Sequence, residues 1–412
     1  MWDILEESGP KKAILVAVLL PERDEAEVRR SLDELRRLAS TLGLSVVGEM
    51  TQKRSRLHPG HVLGEGKIAD LKAMVAAKDA DLVVVDHEIS PSQLRNLENA
   101  TLAEALDRTG VIIEIFHRHA RSRAAKAQVE MVRLQYLAPR LRELGAGKGE
   151  RQRASGVSRT AGESRLELDR RKIRDRIAEL HLELTHLTNE RSHRRDRRRE
   201  LNRVSLVGYT NAGKSTLMRA LTGSDVYVAD KLFATLDTTV RVIPGTSPRL
   251  LASDTVGFIE NLPHGLVESF KSTLDEAAQA SLLAHVVDAA DPAYLRHLQV
   301  TEEVLREIGA GDIPRLLILN KVDQLDAERI AELARQHPEA LFISAHDTED
   351  AHAVRARFIE FFTRGLVETE IRLGWQEQGR RAALVERCQL LEEHYDENGL
   401  VLRLRAPADL VG

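Results

Sequence analysis

Gly208-Tyr209-Thr210-Asn211-Ala212-Gly213-Lys214-Ser215 is the stretch that decides the fold of the second half of this chain. Glycines stand at both ends of a short loop, followed by a lysine and a hydroxyl residue. The loop lies between an apolar run, Val204–Gly208, and a helical pattern, the context a phosphate-binding loop requires. Glycines let backbone N–H groups point inward at an anion, and the helix start adds its positive end. Lys214 is placed to reach the β and γ phosphates of a nucleotide, and the Ser215 hydroxyl to coordinate Mg²⁺.

Downstream pieces repeat the theme at further strand ends. Asp254-Thr255-Val256-Gly257 closes one apolar run. Asp254 suits holding a Mg²⁺-bound water, and the Gly257 N–H suits a γ phosphate. Asn320-Lys321-Val322-Asp323 closes another and is similar to the guanine-recognition motif of GTPases. There Asp323 accepts from two guanine N–H donors on one edge, a pattern adenine lacks. Asn320 ties this loop to the phosphate loop, and Lys321 packs over the base. Ser344-Ala345, with His346 after them, stand where a last motif sets a backbone N–H against the guanine oxygen. Thr235, Thr238 and Thr239 lie between the first helix and the next strand. One of them is expected to coordinate Mg²⁺ with the γ phosphate present, and spacing alone does not choose among them.

Val204–Gly208, Leu250–Asp254, Leu283–Asp288, Leu316–Asn320 and Leu341–Ser344 read as buried strands separated by helices, a doubly wound sheet, mostly parallel. This predicts a Ras-like P-loop domain over residues 201–366. Residues 367–412 predict a small C-terminal α/β domain, with a strand near Glu370–Leu373, a helix near Arg380–Glu393 and a strand at Leu400–Arg405. Residues 1–117 predict a small N-terminal α/β domain with strands at Ala13–Leu20, Leu44–Met50, Leu82–Asp86 and Val111–Phe116. The turn Gly64-Glu65-Gly66-Lys67 lacks the spacing of a phosphate loop and reads as a helix start. His117 and His119 read as surface positions, and Trp2 and Trp375 as packing residues.

Residues 118–200 read as an antiparallel helical hairpin. Ala124, Ala127, Met131, Leu134, Ala138 and Leu141 follow spacings of 3 and 4, as do Ile173, Ile177, Leu180, Leu184 and Leu187. Ser164 and Glu167 suggest a capping box for the second helix. The 412-residue chain carries a net charge of −4, yet Arg118 to Arg203 holds 24 Lys plus Arg against 12 Asp plus Glu. A basic segment inside an acidic protein points to nucleic acid, through arginine contacts to phosphate. The cluster Arg194, Arg195, Arg197, Arg198 and Arg199 is its densest part. With aromatic residues at 4%, base stacking is not expected to dominate. A single cysteine, Cys388, excludes an intramolecular disulfide, and no apolar run is long enough to span a membrane. A cytoplasmic protein without membrane insertion is expected.

Several of these stretches together resemble the HflX family of ribosome-associated GTPases. They are Gly208–Thr216, Phe233-Ala234-Thr235-Leu236-Asp237, Asp254–Ile259 and Leu262-Pro263-His264. Asp107-Arg108-Thr109-Gly110, Ile115–Ala120, Gln128–Tyr136 and Asp169–Arg171 with Ile173-Arg174 extend the likeness to most of the chain. The resemblance implies GTP and GDP as ligands, Mg²⁺ held by Ser215 and Thr235, and catalysis resting on Lys214, Thr235 and Gly257. It also implies binding to the large ribosomal subunit and its rRNA, ribosome splitting or rescue under stress, and a protein monomeric when free. The family's Gly-Pro-Gly-Glu hairpin tip is reduced here, within Ala154–Glu163, to Gly162-Glu163. A GTPase of ribosome assembly or RNA modification, and a nucleotide-gated RNA-binding protein with negligible turnover, are the alternatives.

Many GTPases orient the attacking water with a Gln just after Asp-x-x-Gly. Phe258 occupies that position, so slow intrinsic hydrolysis is expected. Either a ribosomal contact or a K⁺ held near the phosphates by Asn211 then supplies the missing help.

Overall fold

The computed structural model describes residues 11–152, 159–196, 202–223, 232, 233, 235, 236, 239–260, 276–377 and 379–407. They fall into two compact units divided between Leu187 and Thr188. Ala234, Asp237, Thr238, residues 153–158, Arg197–Arg199, Leu262-Pro263-His264 and Trp2 lie outside the described residues.

The first unit holds a parallel sheet in the order β2-β1-β3-β4: β1 Lys12–Leu19, β2 Ser45–Lys53, β3 Leu82–Val85 and β4 Glu104–Asp107. Helices α1 (Glu25–Thr41), α2 (Glu65–Lys78) and α3 (Pro91–Thr101) connect the strands. Gly64 is the N-cap of α2, as its turn predicts. Reciprocal capping boxes, Asp24 with Glu27 and Ser90 with Gln93, start α1 and α3.

Val111–Phe116, expected as the fourth strand, is instead the middle of a helix, α4 (Arg108–His119). All six of its residues are buried, so the run carries no amphipathic period and its branched side chains mimic a strand. Asp107 sets the helix start by accepting from Gly110 N at 2.7 Å. The true fourth strand is the short run just before it.

Helices α5 (Arg123–Gln152) and α6 (Arg159–Asp196) form the hairpin. Arg123 pairs with Glu183 at 2.8 Å, and Glu130, seven residues on, pairs with Arg176, seven residues back, also at 2.8 Å. The two helices therefore run antiparallel. On α6 the seam Ile173, Ile177, Leu180, Leu184 and Leu187 is the more sheltered stripe. On α5 the expected seam is only part of the covered surface. Ala125, Val129, Val132, Tyr136 and Arg140 are also buried. Tyr136 donates to Asp107 Oδ1 at 2.7 Å and Arg140 to Asp107 Oδ2 at 3.0 Å, fastening the first hairpin helix to the start of α4.

The second unit carries a six-stranded sheet in the order β10-β9-β8-β5-β7-β6. Its strands are β5 Asn202–Val207, β6 Thr239–Ile243, β7 Leu250–Asp254, β8 Leu282–Asp288, β9 Arg315–Asn320 and β10 Leu341–Ile343. All pairings are parallel except that of β6 with β7. Helices α7 (Lys214–Thr222), α8 (Tyr294–Glu307), α9 (Ala327–Gln336) and α10 (Thr348–Thr363) lie between or after the strands.

The C-terminal residues form an antiparallel sheet, β11 (Val367–Gly374), β13 (Gly399–Ala406) and β12 (Gln389–Asp396), with α11 at Gly379–Arg387. The helix expected to reach Glu393 thus ends at Arg387, and the rest pairs as a hairpin strand. Asp396-Glu397-Asn398-Gly399 supplies the turn, with Gly399 at φ 146° where a Cβ would strike the Leu373 carbonyl. Trp375 is 56% exposed rather than packed inside, and stacks on Tyr395.

His285, in the middle of β8, is buried, with its Nε2 lacking a hydrogen-bond partner among the described residues. Burial, aided by Arg315 and Lys214, pushes its pKa down to about 3. The folded state therefore holds it neutral. The stability gained this way is complete above its unfolded pKa of about 6.5 and is lost as pH falls from there toward 3. The expected loss is about 2 kcal/mol by pH 5. Melting curves of wild type and His285→Leu between pH 7.5 and 5 check this. The variant's curve should be flatter over that window.

Candidate nucleotide-binding site

Strand β5 lies between β8 and β7, where the strand order changes direction and a crevice opens at the carboxyl ends. The loop Gly208–Ser215 fills that position. Gly208 has φ 147°, and a Cβ there would collide with the Val286 carbonyl oxygen. Gly213 has φ 96°, and a Cβ there would collide with the Asn320 amide. Close approach of neighbouring strands' residues, not flexibility, demands glycine at both. Asn211 adopts φ 60°, a region Asn tolerates. Gly213 caps α7 without a side-chain bond, which leaves the first helical N–H groups pointing toward the loop's hollow.

Lys214 is buried and donates to the carbonyls of Gly208 at 3.0 Å and Tyr209 at 2.8 Å. Burial lowers its pKa to about 8, against the opposing pull of Asp254. A phosphate chain would supply the counter-charge this ammonium is short of.

Three oxygen-bearing side chains meet beside it. Ser215 Oγ donates to Asp254 Oδ2 at 2.6 Å and lies 2.8 Å from Thr235 Oγ1. Burial raises the Asp254 pKa, while Lys214 and the Ser215 and Thr235 hydroxyls oppose it. Asp254 Oδ1 is buried and has no hydrogen-bond partner among the described residues. An orphaned carboxylate oxygen next to two hydroxyls suits a hard divalent cation and its waters. Of the candidate threonines, Thr235 is the one beside Ser215. Thr239 opens β6 opposite Asp254, and Thr238 is outside the described residues.

After Asp254, Thr255 donates to the Leu206 carbonyl at 2.7 Å and Val256 is buried. Gly257 lies against the phosphate loop. A Cβ there would stand 2.7 Å from Thr210 Cα and 3.1 Å from Lys214 Nζ. Phe258 is bridged to the loop, accepting from Thr210 N at 2.7 Å and donating to Gly208 O at 3.1 Å. Tyr209 stacks on His297 and accepts from Glu260 N at 2.7 Å. Phe233 and Leu236 are buried.

The base-side residues gather on Asn320. Its amide donates to the Ala212 carbonyl at 2.8 Å and accepts from Ala345 N at 2.9 Å, joining three loops. Lys321 adopts φ 66° and pairs with Asp288 at 2.7 Å. Val322 and Asp323 begin a single 3-10 turn, Val322–Gln324, with Asp323 exposed. Ser344 N donates to Asp350 Oδ2 at 2.7 Å, and His346 is exposed beyond it. The structure therefore links the phosphate loop, Phe233, Thr235, Asp254–Phe258, Asn320 and Ala345 by direct contacts, and leaves Asp323 and His346 at the solvent edge. Sequence reading missed Asp288, Asp350 and the Tyr209–Glu260 bond. Asp288 and Glu260 reach their partners only in the folded domain, and Asp350 reaches Ser344 from the first turn of α10, outside every motif.

The chain matches known families along much of its length. Residues 203–321 match the family described as 50S ribosome-binding GTPase, residues 29–117 the GTP-binding GTPase N-terminal family, and residues 119–198 the GTP-binding GTPase Middle Region. It is 50% identical to the GTPase HflX of Gluconacetobacter diazotrophicus, over 96% of this chain and 95% of that one. Identity to the GTPase HflX of Caldanaerobacter subterraneus is 40%, over 100% and 95%. For the GTPase HflX of Escherichia coli it is 38%, over 96% and 94%. With the site's architecture and this likeness together, the chain belongs to the HflX family of GTPases.

Proposed function

We propose that this GTPase works on the large ribosomal subunit, as a ribosome-splitting or rescue factor under stress, in the cytoplasm. The observation that carries the reading is the hairpin. Its 30-residue and 38-residue helices run antiparallel and belong to the basic segment of an otherwise acidic chain. A helix of that length reaches about 45 Å, enough to enter a ribonucleoprotein cleft. The match of residues 203–321 to a 50S ribosome-binding family supports the same target. Among the described residues, no helix is long and apolar enough to cross a membrane.

At the nucleotide, the N–H groups of Asn211–Ser215 would hold the phosphates and Lys214 would reach the β and γ groups. Ser215 and Thr235 would hold Mg²⁺, with the Asp254 carboxylate beside them available to a water on the ion. The ion supplies neutralisation of the charge that develops during phosphoryl transfer. Gly257 N–H meets the γ phosphate. Phe233 and Leu236, both buried, flank Thr235 on either side. Asp323 reads the guanine edge, Lys321 covers the base, and Ser344, Ala345 and His346 line the guanine oxygen. Phe258 is buried and has no group to orient water, so the help comes from the ribosome. A K⁺ beside Asn211 is the other source.

Cosedimentation tests the target. The GTP-analogue-bound protein should travel with mature large subunits and 70S particles. Binding confined to immature particles would point to an assembly factor, and binding without stimulated turnover to a nucleotide-gated RNA-binding protein.

A further inference from the structure

Hydrolysis in a P-loop GTPase requires two segments to close on the terminal phosphate, here the one carrying Thr235 and the one following Asp254. Both meet on one phosphate-loop residue. Thr210 Oγ1 accepts from Phe233 N at 3.0 Å. Thr210 N donates to Phe258 O at 2.7 Å. All three residues are buried, with Thr210 at 7%, Phe233 at 2% and Phe258 at 1% exposure. Phe233 sits at φ 57°, a conformation an L-residue keeps only when its surroundings hold it. Two residues on, the Thr235 hydroxyl stands 2.8 Å from that of Ser215.

A phosphate-loop residue needs no side chain to bind phosphate, because backbone N–H groups do that. The Thr210 hydroxyl is therefore available for another task. We propose that Thr210 is a positioning residue for hydrolysis. Its hydroxyl fixes Phe233 and thereby Thr235 over the phosphate loop, while its N–H holds Phe258 beside the same loop. This deepens the assignment of Thr235 to Mg²⁺ made above and rests on it.

Thr210→Val keeps the shape and removes the hydroxyl that accepts from Phe233 N when the segment closes. Closure depends on the γ phosphate, so binding of a non-hydrolysable GTP analogue should suffer more than binding of GDP. The ratio of the two affinities should fall about tenfold in Thr210→Val and return to within about twofold of wild type in Thr210→Ser. Thr235→Ala is the companion variant and should lower the same ratio. Equal losses for both nucleotides in Thr210→Val would mean a merely structural role and overturn the proposal. An unchanged ratio in Thr210→Val beside a lowered one in Thr235→Ala would overturn it too. An unchanged ratio in Thr235→Ala would remove the Mg²⁺ assignment and the proposal with it.

Discussion

Asp323→Asn is expected to lower GTP affinity by about a thousandfold or more and to make xanthosine triphosphate the better ligand. The carboxylate is an acceptor-only group, suited to the two N–H donors on one guanine edge. Xanthine replaces the amino group of that edge with a carbonyl, which pairs with an amide instead. Sites built on such buried bonds reject a base lacking them by factors of about 10⁴–10⁵. The fold presents this carboxylate from a fixed base. Asn320 is bonded to Ala212 and Ala345, Lys321 is pinned by Asp288 at 2.7 Å, and Asp323 follows in a tight turn. Titration with both nucleotides reads the exchange. Unchanged GTP affinity in the variant, or equal affinity of the wild type for ATP and GTP, would refute the assignment.

Replacing Arg194, Arg195, Arg197, Arg198 and Arg199 together with Gln is expected to weaken binding to large subunits by roughly a hundredfold near physiological salt. Each arginine that neutralises a phosphate releases counterions. The plot of log affinity against log salt should therefore also become shallower, by about 0.7–0.9 for every phosphate no longer neutralised. GTP affinity should hardly change. The wild-type slope should be steep, because the segment from Arg118 to Arg203 carries twice as many basic as acidic residues, 24 against 12. The hairpin's internal ion pairs, Arg123 with Glu183 and Arg176 with Glu130, use arginines outside this cluster. Equal salt slopes for variant and wild type would show that the cluster instead covers the protein's own acidic surface.

The elements of the candidate site were legible because their chemistry is local. Phosphate loop, Asp254–Gly257 and Asn320–Asp323 each lie at a strand's end, and a few consecutive residues of sequence suffice to define each. Partners that depend on the folded sheet were not legible. Nothing near Lys321 in sequence announces Asp288, and nothing announces that Thr210 gathers Phe233 and Phe258. The fold was misread where the hydrophobic period is silent. Val111–Phe116 is buried all round, so helix and strand look alike, and the capping Asp107 was the overlooked signal. At Leu390 and Leu391 a helix pattern runs into a hairpin whose turn residues lie later, at Asp396–Gly399. On α5 two adjacent stripes are covered at once, which a single heptad seam cannot express.

Turnover with and without large ribosomal subunits tests the central claim, a ribosome-activated GTPase, most directly. The measurement is steady-state phosphate release in Na⁺ and in K⁺, for wild type and Asn211→Ala. The free protein in Na⁺ should be slow, since Phe258 has no hydrogen-bonding group on its side chain and its backbone is bridged to the phosphate loop. Mature large subunits should raise the rate about a hundredfold or more, the scale that positioning and charge stabilisation contribute in this chemistry. A K⁺ effect lost in Asn211→Ala would assign part of that help to the ion. Fast turnover of the free protein in Na⁺, unchanged by added subunits, would contradict the account.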